Sequence, residues 1–143
     1  MNVAGTITSS ATPAQLHALG SDRGRLDGVG VLSDLVIDEV GLVRGRFTPT
    51  SVIKGTELDV VIRAGRVDAE SAQLDVSGSR GPHRVDVALT IGYSPGEAGS
   101  RIAWSARVTV RGPLAGVGQR VVGDLATRAI AEVLEQAAAV ADV

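Results

Sequence analysis

Catalysis needs groups that carry protons, electrons or metals in a shared place, and this chain keeps such groups apart. His17 and His83 are its two histidines, distant in sequence and without an adjacent partner. Asp34, Asp38 and Glu39 form a small acidic group that reads as a wet strand face rather than a proton-sharing pair. Cysteine is absent, which removes thiolate nucleophiles, disulfides and cysteine-ligated metals together. No H-E-x-x-H, G-x-x-x-x-G-K-S/T or strand-GxGxxG-helix pattern occurs. The sequence therefore nominates no catalytic residue, no metal site and no cofactor.

What does recur at regular spacing is apolar. Ile102, Trp104, Ala106, Val108 and Val110 point one way along a strand, while Ala103, Ser105, Arg107 and Thr109 point the other. Gly112-Pro113 breaks that strand, and 114–139 reads as one long helix. Its apolar stripe is Leu114, Val117, Val121, Leu125, Ala129, Val133 and Ala137, widened by Val122, Ile130 and Leu134. Phe47, Tyr93 and Trp104 are the only aromatic residues, so a cavity here is shaped by aliphatic side chains. The candidate lining is Phe47, Leu58, Val60, Val87, Leu89, Trp104, Leu114, Val117, Gly118, Val121 and Leu125. Such a pocket, of roughly 300–1,000 Å³, suits an acyl or isoprenoid chain. Gly116, Gly118 and Gly123 either leave room beneath the helix, let its backbone bend, or serve packing against the sheet.

The elements that must hold these residues follow from periodicity. Val3, Gly5 and Ile7 mark a first strand. Thr12-Pro13-Ala14-Gln15 has the spacing of a capping box and starts a short helix, with Leu16 and Leu19 as its contacts and Gly20-Ser21-Asp22 as its end. Residues 23–33 are a loop or a poor second helical turn. Five further strands are centred on Leu35 and Ile37, on Val43, Gly45 and Phe47, on Leu58, Val60 and Ile62, on Ala72, Leu74 and Val76, and on Val85, Val87, Leu89 and Ile91. Turns fall near Gly41, at 78–82 and at 94–99, and Pro49 suggests an edge or a bulge. Alternation with one wet face indicates antiparallel pairing. The expectation is one α+β domain over 1–143: a helix-grip of seven curved antiparallel strands wrapped around a long C-terminal helix.

Composition narrows the partners. The net charge of -2 argues against nucleic acid. Thirteen arginines stand against one lysine, Lys54, which genomic base composition explains more simply than phosphate recognition. No apolar run approaches the roughly 20 residues that cross a bilayer as a helix. The first residues show no secretory pattern, so the expected location is cytoplasmic.

The strand-to-helix junction reads Gly112-Pro113-Leu114-Ala115-Gly116-Val117-Gly118-Gln119-Arg120. Gly112, Leu114, Ala115, Val117, Gly118 and Arg120 match a pattern of the carbon monoxide dehydrogenase CoxG family, and Gly5-Thr6-Ile7-Thr8 is also similar to it. With this element order, the chain resembles that family, within the helix-grip superfamily of START-like and birch-pollen-allergen-like proteins. It departs at 26–30, where a proline-glycine turn is common, and at His17 and Leu134-Glu135-Gln136, where aromatics are common. The resemblance implies a non-enzymatic accessory protein that holds a lipid or quinone-like molecule. It further implies assisting or recruiting a molybdenum hydroxylase of the carbon monoxide dehydrogenase type, peripheral to the inner face of the membrane. A small cyclase or hydrolase acting on an aromatic or polyketide-like substrate is the alternative, and an assembly factor with a filled core is a third. An ionisable group inside the cavity would favour the enzyme.

Overall fold

The structure, a computed structural model, describes residues 1–21, 23–26, 28–37, 42–49 and 57–142. The expected turn at Gly41, and the residues Asp38, Glu39 and Lys54, lie outside them. Strand β1 (Asn2–Ser9) leads through helix α1 (Pro13–Ser21) and the single turn α2 (Arg23–Leu26) to β2 (Leu32–Ile37). Then follow β3 (Val43–Phe47), β4 (Leu58–Val67), β5 (Ser71–Arg80), β6 (His83–Gly96) and β7 (Gly99–Arg111). A 3-10 turn (Pro113–Val117) and helix α3 (Gln119–Ala141) complete the chain order.

The seven strands form one antiparallel sheet in the order β1-β7-β6-β5-β4-β3-β2. Its two edges are β1 and β2, the strands that α1 and α2 separate in the chain. Every other pair of strands consecutive in the chain lies side by side in the sheet. The strands run further into the turns than periodicity suggests. β5 continues to Arg80 and β6 to Gly96, because main-chain pairing persists after the apolar alternation has stopped. β3 is an interior strand, and Pro49 lies just beyond it, buried. Irregularities sit instead in β4, between Ala64 and Val67, and in β2, between Ser33 and Val36, where Asp34 adopts φ 54. Aspartate is among the few residues that tolerate this conformation. Beyond the bulge Val36 turns outward and is 61% exposed.

The start of α1 forms as its sequence spacing requires. Thr12 Oγ1 accepts from the Gln15 N–H, and Gln15 Oε1 accepts from the Thr12 N–H. Leu16 and Leu19 are then buried in the core.

The last helix differs from expectation at its beginning. α3 starts at Gln119, and the preceding turn is a separate 3-10 element closed by Gly118 at φ 103. A 3-10 turn has 3.0 residues per turn rather than 3.6, and a positive φ redirects the chain. An apolar stripe extrapolated back through that joint loses phase. The face of α3 turned to the sheet carries Val122, Leu125, Ala126, Ala129, Ile130, Val133 and Leu134. Val117 and Val121 are about half exposed instead, at 50% and 47%.

Between α3 and the concave face of the sheet, one end is filled. Trp104, Ile102, Ile91 and Ala106 pack there with Leu16, Leu19, Ala138 and Ala141 in one cluster. The Trp104 indole lies over Gly5 on neighbouring β1, where any Cβ would come within 2.8 Å of it. The C-terminal end of α3 is also tied by hydrogen bonds. Gln136 Oε1 accepts from the Val31 N–H at 2.9 Å, the Val140 carbonyl accepts from Arg25, and Asp142 accepts from Ser10.

Candidate functional site

The other end of the grip is hollow. A half-open cavity of about 240 Å³ lies between α3 and the sheet. On the sheet side its wall is Leu32, Phe47, Pro49, Leu58, Val60, Ile62, Val76, Gly78, Val85, Val87, Leu89, Val108 and Val110. On the helix side it is Val122, Leu125, Ala126, Ala129, Ile130, Val133 and Leu134. The space exists because these side chains are short. Packed layers stand about 10 Å apart, and valine facing alanine across that gap does not fill it. Leu89, Val108 and Leu134 belong both to this wall and to the packed cluster, so they partition the hollow end from the filled one.

Among the described residues, no wall residue has a polar or ionisable side chain. The described wall thus presents neither side-chain dipoles nor a proton carrier. An ionised or hydrogen-bonding group placed there would lose its hydration without replacement, at a cost of several kcal/mol. An alkyl or ring carbon would gain about 25 cal/mol for each Å² removed from water. The described arrangement favours apolar matter.

Six expected lining residues meet in this wall: Phe47, Leu58, Val60, Val87, Leu89 and Leu125. Trp104 faces inward as its register requires, but stands in the filled end, 4% exposed. Val117, Gly118 and Val121 are exposed and border no part of the wall. An added Cβ at Gly118 would meet nothing within 4 Å, so this glycine answers its backbone angle rather than a need for room. Leu114 lies in the 3-10 turn, with its side chain outside the described residues. The missed wall residues are reachable by rule. Ile62, Val85, Val108 and Val110 continue the inward register by steps of two, Ala129 and Val133 follow from the expected helical stripe, and Ala126 lies four residues from both Val122 and Ile130.

The described titratable groups singled out in the sequence lie away from the cavity. His17 lies on α1 and His83 begins β6; neither borders the cavity. Asp34 is on the outer face, 3.8 Å from Arg46, which also pairs with Glu57 at 2.8 Å. These partners are about half exposed or more, so each pair is worth under about 1 kcal/mol. Among the described residues no three His, Cys, Asp or Glu side chains gather in a metal-binding group. Among the described residues, two groups have displaced pKa values. The Glu70 N–H, with Ser71, holds the Asp68 carboxyl below its ordinary range, and burial pushes the Tyr93 phenol up. Neither residue lines the cavity.

The sequence pattern of the carbon monoxide dehydrogenase CoxG family matches residues 39–141. No curated protein matches the chain. Solved structures match along its length. A conserved protein from Geobacillus kaustophilus is 19% identical, covering 99% of this chain and 95% of its own, with a TM-score of 0.82. TTHA0849 from Thermus thermophilus is 18% identical, covering 99% and 97%, at 0.69. Ara h 8.0201 is 16% identical, covering 98% and 97%, at 0.67. At these identities the likeness is one of fold, and the fold is the helix-grip.

Proposed function

The chain belongs to the carbon monoxide dehydrogenase CoxG family, and from that premise we propose that it is a non-enzymatic carrier of an apolar molecule for a molybdenum hydroxylase. The observation that carries the reading is the cavity of about 240 Å³ whose described wall is made of apolar side chains. That volume is below the roughly 300–1,000 Å³ of pockets that enclose whole drug-sized ligands. It suits part of a molecule: the tail of a lipid or the isoprenoid chain of a quinone, with the polar head left at the opening. Each methylene withdrawn from water gains about 0.8 kcal/mol. The carrier serves a carbon monoxide dehydrogenase-type enzyme by presenting or withdrawing such a molecule, and it meets the membrane peripherally to exchange it. No described helix is long and apolar enough to cross a membrane. A cyclase or hydrolase would need an acid or base at the substrate, and the described wall offers neither.

Native mass spectrometry of protein purified without detergent, followed by solvent extraction, tests this. The expected result is a bound mass that extraction identifies as a lipid or quinone. Apo protein that also fails to take up a fluorescent fatty acid would overturn the reading.

A further inference from the structure

The two ends of α3 are held differently. Its last turns are clamped by the Gln136–Val31, Arg25–Val140 and Ser10–Asp142 hydrogen bonds and by the buried Leu134, Ala138 and Ala141. Across residues 112–123, no described side chain makes a hydrogen bond to the sheet. Neither the 3-10 turn nor α3 has a side-chain cap at its start. Apart from the undescribed Leu114 side chain, residues 112–121 are all exposed. Regions with few buried contacts and exposed backbone bonds open at the lowest free-energy cost.

This segment also carries its own joints. Gly112 has φ 85, with the Pro82 carbonyl where a Cβ would go, so the upstream joint is fixed in place. Gly118 has φ 103 in open space. Gly123 lies inside α3, and its carbonyl accepts a hydrogen bond from Thr127 Oγ1 at 2.8 Å. A helical glycine weakens the helix, and a threonine bonded back to the carbonyl four residues earlier bends it. Directly beyond Gly123 come Leu125, Ala126 and Ala129, which roof the cavity, and directly before it Val122 closes the near side.

We propose that residues 113–123 form the gate of the cavity, moving on Gly118 and Gly123 between the fixed Gly112 and the clamped C-terminal part of α3. The gate rests on the carrier reading above. Val122, 5% exposed, is its inner latch, and lifting it widens the half-open mouth beside the roof without disturbing the Trp104 cluster. Burial of Val122 holds the segment down between exchanges.

Gly123→Ala tests the hinge. The new Cβ meets Met1 Sδ at 3.5 Å and Val3 at 3.9 Å, ordinary contacts, so the closed state is unstrained. Removing a helix glycine should slow uptake and release of a fluorescent fatty acid in stopped flow by about fivefold each, at unchanged Kd. Hydrogen exchange on the ligand-free protein supplies a readout independent of any ligand. Amides of 122–127, the first with acceptors in the helix, should exchange faster than those of 134–141, and Gly123→Ala should slow the former alone. Unchanged rates in the variant, or exchange that is uniform along α3, would overturn the gate. Failure of the wild type to bind the fatty acid, with the exchange gradient intact, would instead refute the carrier reading and leave a hinged helix without that cargo.

Discussion

Ala129→Leu separates a genuine void from a filled core, because the two predict opposite signs. Ala129 sits on the sheet-facing side of α3, between Leu125 and Val133 on the cavity wall. Leucine adds three carbons, and the cavity of about 240 Å³ has room for them. Burying them gains about 2.4 kcal/mol at 0.8 kcal/mol each. Ordering the leucine costs about 0.5–1 kcal/mol, so the ligand-free protein should gain roughly 1.5–2 kcal/mol. At this chain length that is a rise of about 5–8 °C in Tm. A ligand loses the same three carbons' worth of burial, so its affinity should fall about fiftyfold. Trp104, the only tryptophan and nearly fully buried, reports unfolding by its emission. Displacement of a fluorescent fatty acid reports affinity. A variant destabilised by more than about 1 kcal/mol means the site is already packed, and the reasoning fails. A stabilised variant with unchanged affinity means that the ligand goes elsewhere.

Gly118→Leu should destabilise the protein by about 1–3 kcal/mol, since φ 103 strains any side chain. Its equilibrium affinity for the fatty acid should stay at the wild-type value, because the side chain points into open space; a tenfold loss would return Gly118 to the binding site. Gly5→Ala should cost about 1–3 kcal/mol in urea melts by driving a methyl group into the indole of Trp104, and a neutral outcome would mean that the ring is not seated on β1. The depressed pKa of Asp68 reflects its carboxylate accepting from the Glu70 N–H and from Ser71. Its stabilisation of the β4–β5 turn is therefore present above the ordinary carboxylate pKa and lost as pH falls through the depressed value. NMR of the Ser71 amide should show that loss in the wild type and not in Asp68→Asn; identical acid titrations would contradict it.

The sheet was legible because its inward residues are spaced by two and separated by glycine and proline turns. Seven runs of alternation, one capping box and one long apolar-striped helix leave few other architectures. The site was legible only where a residue's face follows from its strand. Phe47, Leu58, Val60, Val87 and Leu89 are placed by parity, and parity survives uncertain strand ends. Helical faces do not survive an uncertain start. The joint at Gly118 rotates everything assigned before it, which moves Val117 from the wall to the surface, while Val121 is exposed in the first turn of α3 itself. Trp104 shows a second limit. Its parity is correct, but which end of the grip is filled depends on α1 joining the Trp104 cluster and on Gly5 lying beneath the ring. Those are contacts between residues roughly a hundred positions apart, and periodicity carries no information about them.

Anomalous diffraction from crystals of the protein grown with a bromine-tipped alkyl amphiphile addresses the central claim most directly. The account places the bromine peak between α3 and the sheet, against Val60, Val87, Leu125 and Ala129. A peak on the outer face of the sheet, or an empty interior at saturating amphiphile, would contradict it.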